Sequence, residues 1–237
     1  MNKEISILIL TYNAPEYVEK TIKSLTEVTD KEDLEKCEII VWDNASEQPT
    51  QALLKKFKNQ GLIDKLSLSS KNLLFAGGNN GAAELASPTS KYYLLLNSDI
   101  LIKDKNWLKR LINEVKKDGI AGASYGFCKH PDRCDGYSLL IDRQLYDKYK
   151  LDTEYQWWWG VTKLQAQILQ EGHSLKAFHH HNHILYHYGG KSGNAFKSAK
   201  GMDTSVQDVI KWFGSSKGKI ISTNALRFGN ILNYFKN

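Results

Sequence analysis

The sequence contains few cysteines and no long apolar run, and it begins with polar residues. Only three cysteines, Cys37, Cys128 and Cys134, occur in 237 residues. This small odd number predicts a reducing, cytoplasmic environment rather than a disulfide framework. No stretch reaches the roughly 18 consecutive apolar residues of a membrane span. The polar start MNKE does not match a signal peptide. We therefore expect a cytoplasmic protein without a transmembrane segment.

The excess of positive over negative charge is also small. Lys and Arg number 32 against 26 Asp and Glu, a net charge of +6, and the lysines are spread along the chain. This mild excess is compatible with an anionic small ligand, whereas it does not predict a nucleic-acid partner. There is no internal repeat and no linker rich in Pro, Gly or Ser. A chain of this length can bury a full core, so one domain is expected.

Apolar runs typical of strands alternate with segments of helical spacing. In the first half, strands are predicted at residues 6–10, 38–42, 66–68 and 92–96, and helices after Pro15, at 51–59, after the glycines of NLLFAGGNNGAAELA, and around 108–115 up to Gly119. In the second half we predict one or two strands and a loop at 120–142, a helix at 161–171, strands at 175–178 and 184–186, and a helix at 205–213. Alternation of this kind predicts an α/β fold with a mainly parallel sheet flanked by helices.

Polar residues directly follow three of these strands. They are the triplet TYN at 11–13, the pair DN at 43–44 and the triplet NSD at 97–99. Ligands of such sheets bind beyond the carboxyl ends of the strands. The three groups should therefore meet at one edge, where a ligand would lie.

Four blocks resemble the family 2 glycosyltransferases, in the order in which that family carries them: ISILILTYNAPEYVEKTIKSL, VWDNAS, NLLFAGGNNGAAELA and YYLLLNSDI. The resemblance is close over residues 1 to about 105 and looser to 192. It implies a GT-A (Rossmann-like) domain at 1–192, with 193–237 as a C-terminal extension packed on or near the acceptor side. The motifs DNAS and FAGGNNG resemble those of the branch that contains rhamnosyltransferases and related polysaccharide-building enzymes.

The resemblance assigns a metal site. Asp99 stands at the metal-binding carboxylate of the family's Asp-x-Asp motif, Asn97 replaces the first aspartate, and His187 matches a histidine that supplies a further ligand. The implied ion is Mn²⁺ or Mg²⁺, bridging the diphosphate of the donor as a Lewis acid. An imidazole ligand favours Mn²⁺.

The resemblance also assigns a donor site. Asp43 matches the acid that binds the nucleoside, and the other implied donor-binding residues are Thr11, Tyr12, Asn13, Asn72, Gly78, Asn80 and Asn97. The glycines of FAGGNNG would let the backbone approach the ligand, next to a helix N-terminus that favours negative charge. The implied reaction moves a sugar from a UDP-, GDP- or dTDP-linked donor to a hydroxyl of a glycan or lipid-linked acceptor. Inversion at the anomeric carbon is the family's default.

The sequence departs from the family at the general base. The usual acidic pair would fall at Gly160 and Val161, and a further frequent aspartate position is Lys163. Three explanations are open: Glu154 or Asp152 is the base, the enzyme retains configuration, or the chain only binds a sugar nucleotide or glycan. We favour the first of these.

Three consecutive tryptophans, Trp157, Trp158 and Trp159, stand directly before the positions where the acids are expected. Three consecutive side chains cannot all face one way, so at least one should be exposed and could stack on an acceptor sugar.

Two other functions fit the sequence less well. A nucleotidyltransferase would need a glycine-rich, basic phosphate loop after the first strand, where this chain has TYNAPEY. The cluster HHHNH at 179–183, with Cys128, His130 and Cys134, could hold zinc, but its spacing matches no standard zinc module.

Overall fold

The computed structural model describes residues 3–124, 133–191, 199–214 and 216–223. The first half contains β1 (Ile5–Thr11), α1 (Pro15–Val28), α2 (Lys31–Glu35), β2 (Cys37–Asp43), α3 (Gln48–Asn59), β3 (Lys65–Leu68), α4 (Leu74–Glu84), β4 (Tyr92–Asn97), β5 (Ile100–Ile102) and α5 (Trp107–Asp118). The second half contains β6 (Ile120–Ala123), β7 (Ser138–Asp142), α6 (Arg143–Tyr149), α7 (Trp158–Gln170), β8 (Leu175–Phe178), β9 (Leu185–His187), α8 (Val206–Phe213) and β10 (Ile220–Thr223).

Eight strands form one sheet in the order β10-β8-β6-β7-β4-β1-β2-β3. All neighbours in it are parallel except β7, which runs antiparallel to both β4 and β6. A separate ribbon pairs β5 with β9 in antiparallel fashion. The predicted α/β class with a mainly parallel sheet is therefore confirmed.

Side chains of the central strands alternate between the two faces of the sheet. On β1, Ile7 and Ile9 pack in one apolar cluster together with residues of α1, α3 and α5. Leu8, between them, packs in the other cluster with residues of α4 and α7. Both clusters are almost inaccessible to water, as expected for a parallel sheet covered on both faces. This double burial fixes the strand register and so the positions of the residues beyond the strand ends.

The glycine-rich block differs from its prediction. Gly77, Gly78 and Gly81 lie inside α4 rather than in a loop before it. A Cβ on Gly78 would come within 2.3 Å of the Leu10 side chain, and one on Gly81 within 2.8 Å of the Trp42 ring. The glycines therefore allow α4 to approach the sheet closely. The sequence had instead predicted that they form a loop whose backbone contacts the ligand.

Four elements were not predicted: α2, β5, α6 and β10. Strand β10 pairs in parallel with β8, so residues 220–223 of the predicted C-terminal extension complete the edge of the main sheet. Residues 193–198, 215 and 224–237 of that region lie outside the described residues. Within the described part of the chain, no helix is long and apolar enough to cross a membrane.

Candidate active site

The polar residues that follow β1, β2 and β4 reach one edge of the sheet. Because β1 lies between β2 and β4, its end is in register with both neighbours: Thr11 lies opposite Asp43, and Leu10 lies opposite Asn97. This confirms the sequence-based expectation that the three groups meet. The edge is the one at which parallel α/β sheets bind their ligands.

A carboxylate and an imidazole converge beside this edge. Asp99 leaves β4 at the turn before β5, and β9 pairs with β5 so that His187 lies opposite Ile100. The Nε2 atom of His187 is 3.1 Å from Oδ1 of Asp99 and 3.4 Å from the amide nitrogen of Asn97. Asp99 is only 6% exposed. The β5–β9 ribbon therefore brings His187 to two side chains that lie some 90 positions earlier in the sequence.

His187 is held from its other side by a buried pair. Its ring stacks on that of Tyr137, whose hydroxyl lies 2.5 Å from Nε2 of His181. Nδ1 of His181 is 3.3 Å from the carbonyl oxygen of Leu185, so it donates there while Nε2 accepts from the tyrosine. Burial lowers the pKa of His181 to about 4, which keeps this imidazole neutral near pH 7.

The histidine cluster gives no support to the zinc interpretation. His181 uses both of its ring nitrogens within the protein. Among the described residues, no group of three or more His, Cys, Asp or Glu side chains could hold a metal ion. Cys128 and His130 lie outside the described residues.

Asp43 is completely buried and organises the neighbouring loops. Its Oδ1 accepts from the Thr11 hydroxyl at 3.0 Å, and its Oδ2 accepts from the backbone N–H of Ser46 at 3.0 Å. The Ser46 hydroxyl in turn accepts from the Asn13 N–H, and the Asn13 side chain accepts from the N–H of Glu47. Asp43, Thr11 and Asn13, which were predicted to bind the donor, thus form hydrogen bonds that join the loop after β1 to the loop after β2. Their contact with a ligand stays a prediction.

A first cavity opens at this edge. It is lined by Tyr12, Asn72, Asn97 and Asp99 among the predicted residues, and by Leu10, Asn44, Leu74, Phe75, Ser98 and Trp157. The lining combines a carboxylate, several amides and aromatic rings. This is the kind of lining that could hold the base, ribose and phosphates of a nucleotide.

Two other predicted donor residues have roles inside the fold. Asn80 donates to the Leu151 carbonyl and accepts from the Tyr146 hydroxyl and the Leu151 N–H. Gly78 packs against Leu10 and Asn44 within α4. Gly78 therefore lies behind two lining residues of the first cavity, and neither Gly78 nor Asn80 is itself among the lining residues.

A second cavity adjoins the first and shares Phe75, Asn97 and Trp157 with it. Its other lining residues are Asp135, Gly136, Tyr137, Trp158, Val161 and His187. Asn97 and Trp157 therefore stand at the boundary between two adjacent spaces. The Asp99–His187 pair spans the same boundary, with one member in each lining.

The three tryptophans divide as the sequence predicted, with one exposed side chain. Trp158 is 39% exposed and lines the second cavity. Trp157 precedes α7 with a positive φ of 53° and faces both cavities. The guanidinium carbon of Arg133 lies over the Trp159 ring, 6.0 Å from the centroid of that ring. Stacking of an acceptor sugar on Trp157 or Trp158 stays a prediction.

The start of α7 cannot hold the expected acidic side chain at position 160. There is no acidic residue in its first turn. A Cβ on Gly160 would lie 2.4 Å from the carbonyl oxygen of Tyr155, closer than any real contact of this kind. The chain therefore passes too near for an acid at this position without a backbone shift.

The two predicted bases are engaged elsewhere. Asp152 forms a 2.6 Å ion pair with Lys163, while Glu154 pairs with Lys200 at the surface. Burial alone would raise the pKa of Asp152, but the bonds from Lys163 and from the Glu154 N–H outweigh it and lower this pKa. Neither residue is among those that line the two cavities. Their role as general base stays a prediction.

Sequence reasoning missed Asp135 and Tyr137. Both precede β7, and the prediction considered only residues that follow strands. Because β7 is antiparallel, its beginning lies at the carboxyl ends of its neighbours: Ser138 is opposite Leu96, and the Asn97 N–H donates to the Tyr137 carbonyl at 2.9 Å. The only available signal was the polar sequence CDGY just before an apolar run.

Comparison with known proteins identifies the family. Residues 6–185 match the model of "Glycosyl transferase family 2". The chain therefore belongs to glycosyl transferase family 2. A search of curated protein sequences finds no significant match.

Solved structures share the fold at low sequence identity. The mannosyltransferase PcManGT from Pyrobaculum calidifontis, in complex with GDP-Man and Mn²⁺, matches with a TM-score of 0.62 and 14% identity over 74% of this chain and 54% of that one. S. aureus TarS 1–349 with UDP-GlcNAc matches with a TM-score of 0.55 and 16% identity over 69% and 53%. GalNAc-T7 with UDP, GalNAc and Mn²⁺ matches with a TM-score of 0.61 and 14% identity over 73% and 42%. The chain thus spans about half the length of these structures.

Proposed function

We propose that this protein is a metal-dependent glycosyltransferase. It transfers a sugar from a UDP-, GDP- or dTDP-linked donor to a hydroxyl of a glycan or lipid-linked acceptor. The observation that carries the proposal is the convergence of Asp99 and His187 at the boundary of two adjoining cavities, within a chain of this family. A cytoplasmic location and a role in polysaccharide biosynthesis, close to the rhamnosyltransferase branch, belong to the same proposal.

The donor set at this point fits Mn²⁺ or Mg²⁺ that arrives with a diphosphate. One carboxylate oxygen of Asp99 and one imidazole nitrogen of His187 lie 3.1 Å apart. Two protein ligands are too few to hold such an ion tightly, and the described residues offer no third His, Cys, Asp or Glu. Phosphate oxygens and water would complete the shell, as is usual for these hard cations. When bound, the ion stabilises the negative charge that develops on the leaving diphosphate.

The protein's own residues divide the work between the two cavities. The first cavity, with Tyr12 and Asn72 in its lining, would hold the nucleotide. Asn97 belongs to both linings and would lie beside the transferred sugar. The second cavity, with its indole ring of Trp158, would hold the acceptor, because aromatic faces stack well on sugar rings. A donor and an acceptor in adjoining spaces can react in line, which is consistent with inversion.

A second function is favoured by the start of α7. The acid pair expected of an inverting transferase is absent there, and Gly160 has no room for a side chain. A protein that binds a sugar nucleotide or glycan without turnover would need no base. Binding and turnover therefore have to be measured separately.

The test is a thermal shift screen followed by a turnover assay. The purified chain is heated with UDP, GDP, dTDP or CMP, each with and without Mn²⁺ or Mg²⁺. A ligand that binds only the folded state raises the melting temperature. We expect one diphosphate to stabilise the protein only with metal, and Asp99→Ala and His187→Ala to abolish that shift.

Turnover is measured as the release of the nucleoside diphosphate from the matching nucleotide sugar. Release by the wild type supports the transferase. Metal-dependent binding without release supports the binding protein instead. A chain that no nucleotide stabilises under any metal condition contradicts the transferase and supports a protein that binds a glycan. Lys163→Met, at an ion pair outside the cavities, is the matched control and should keep the metal-dependent shift.

A further inference from the structure

A carboxylate that the sequence did not single out lies in the second cavity. Asp135 comes three residues before β7, and the reversed direction of that strand carries it to the ligand edge of the sheet. It shares the lining of the cavity with His187, Asn97 and Trp158. Its position is therefore on the acceptor side of the Asp99–His187 pair.

The surroundings of Asp135 fix its backbone and leave the side chain partly accessible. Its N–H donates to the Ala123 carbonyl at 2.8 Å. A Cβ on the next residue, Gly136, would lie 2.7 Å from Val161 and 3.0 Å from Phe75, so the chain is tightly held there. The Asp135 side chain is nevertheless 22% exposed. A carboxylate on a fixed backbone that still meets solvent is suited to proton transfer.

A guanidinium lies behind this carboxylate. Nη2 of Arg133 is 4.0 Å from Oδ1 of Asp135, and the Arg133 side chain is only 9% exposed. Arg133 also lies over the Trp159 ring. At this distance the positive charge of Arg133 favours the ionised form of the Asp135 carboxyl, which is the form that can accept a proton.

The other carboxylates near the site are less suited to accept a proton from an acceptor. Among the described residues, Asp99 and Asp135 are the two carboxylates in the linings of the two cavities. Asp99 faces His187 at the metal position. Asp152 and Glu154, the bases predicted from the sequence, are paired with lysines outside both linings.

We propose that Asp135 is the general base of this protein and takes the place of the acids missing from α7. The inference rests on the proposed transferase function. In the step, the acceptor hydroxyl gives its proton to the Asp135 carboxylate while its oxygen bonds to the anomeric carbon of the donor. The bond from that carbon to the diphosphate oxygen breaks, and its electron pair leaves with the diphosphate. No oxidant or reductant is needed.

The test uses water as the acceptor, because its O–H also needs a base. Release of nucleoside diphosphate is followed from UDP-GlcNAc, UDP-glucose, GDP-mannose and dTDP-rhamnose with Mn²⁺. General bases contribute about 10²- to 10⁴-fold. We expect Asp135→Asn to lower the release rate at least ~100-fold while the metal-dependent thermal shift by the nucleotide stays unchanged. Asp152→Asn and Glu154→Gln are assayed alongside as the rival bases, and Glu19→Gln, at an exposed ion pair outside both linings, is the control that should keep the wild-type rate.

A rescue experiment separates a base from a merely structural carboxylate. Azide carries no proton and attacks the anomeric carbon without a base. Added azide should therefore restore consumption of the donor by Asp135→Ala and yield a glycosyl azide. A loss of rate that azide does not restore would overturn the role of Asp135, as would a full rate in Asp135→Asn or a comparable loss in Asp152→Asn or Glu154→Gln.

Donor consumption by the wild type and by Asp135→Asn separates the role of Asp135 from the proposed transferase function. If the wild type binds and consumes a donor but Asp135→Asn does so equally well, only the role of Asp135 is lost. If the wild type consumes no donor, the proposed transferase function fails, and the base role fails with it.

Discussion

The imidazole of His187 and the phenol ring of Tyr137 stack with their centroids 4.4 Å apart and their planes 18° apart. The stack holds the imidazole so that Nε2 points at Asp99. A metal ligand is most effective when its orientation is fixed before the ion arrives. Tyr137 is therefore a positioning residue for the proposed metal site, and His181 anchors it through the hydroxyl.

Tyr137→Phe and Tyr137→Leu separate the stack from the hydrogen bond. The phenylalanine keeps the ring but leaves Nε2 of buried His181 without its donor, so we expect it to lower the free energy of unfolding by about 1–3 kcal/mol and to preserve the metal-dependent nucleotide shift. The leucine removes the ring as well and should weaken that shift. Urea unfolding and thermal shift with Mn²⁺ are the measurements. Equal nucleotide shifts in both variants would contradict the positioning role.

His181 makes the fold sensitive to acid. Burial lowers its pKa to about 4, the Leu185 carbonyl opposes this, and the charges of His187, His179 and His183 add to it. Its pKa in the unfolded chain is near 6.5. Because the unfolded chain binds the proton first, the contribution is present above about pH 6.5 and is lost as the pH falls towards 4, with a total of about 3 kcal/mol.

His181→Gln tests this pH dependence. Glutamine offers Tyr137 an acceptor but does not titrate. We expect the difference in unfolding free energy between wild type and variant to shrink between pH 7 and pH 4, as measured by urea unfolding at each pH. His173→Gln, at an exposed position, is the control and should leave the pH profile unchanged. A profile of His181→Gln parallel to that of the wild type would refute the assignment.

Glu38 forms a buried polar cluster on β2. It accepts from the Ser6 hydroxyl at 2.6 Å and from the Ser87 N–H at 2.5 Å, and it pairs with Lys65 at 2.8 Å. Burial would raise its pKa, but the bonds from Lys65, Ser6 and Ser87 outweigh it and lower the pKa. Its contribution to stability is therefore present above the unfolded pKa of about 4.3 and is lost as the pH falls through the folded pKa.

Glu38→Gln should lower the free energy of unfolding at pH 7 by about 1–3 kcal/mol, because it leaves the Lys65 charge and two donors with a weaker partner. The same comparison near pH 3 should give a smaller difference, since the wild-type carboxyl is then increasingly protonated. Chemical denaturation at the two pH values measures this. Glu19→Gln, which removes an exposed helical ion pair, serves as control and should change stability little at either pH.

Gly78→Ala should push on the first cavity from behind. The new methyl would lie 2.3 Å from Leu10 and 3.1 Å from Asn44, both of which line that cavity. Overpacking of this kind costs about 1–3 kcal/mol, and we expect the nucleotide-dependent thermal shift to fall as well. Adding Leu10→Ala should restore part of the stability by making room. Strict additivity of the two single changes would show that this contact is not the cause.

How much could be predicted from the sequence depended on the direction of the strands. Thr11, Asp43 and Asn97 could be placed at the ligand edge of the sheet because each stands at the end of a parallel strand. Asp135 was missed because the strand next to it is reversed, and strand direction leaves no mark on a short apolar run. Direction is settled only by pairing with distant partners, here between residues such as Leu96 and Ser138.

Local signals also failed where packing overrode them. The glycines of NLLFAGGNNGAAELA predicted a loop, but close approach to Trp42 and Leu10 required them inside a helix. Helix α6 was missed because it follows β7 without a linker, with Asp142 both ending the strand and capping the helix through bonds to the N–H groups of Gln144 and Leu145. The exposure of at least one of the three tryptophans was predicted correctly, since it follows from the spacing of consecutive side chains, but which of them is exposed, Trp158, could not be predicted.

The close approach of Gly160 to the Tyr155 carbonyl also limits how this chain could change over evolutionary time. A single replacement of Gly160 by glutamate would meet the backbone before it could offer a carboxylate to a sugar. A return to the family's usual arrangement would therefore need the preceding loop to move first, while the site still depended on whatever base it has now. The carbonyl group of Tyr155 therefore blocks this substitution as a single evolutionary step.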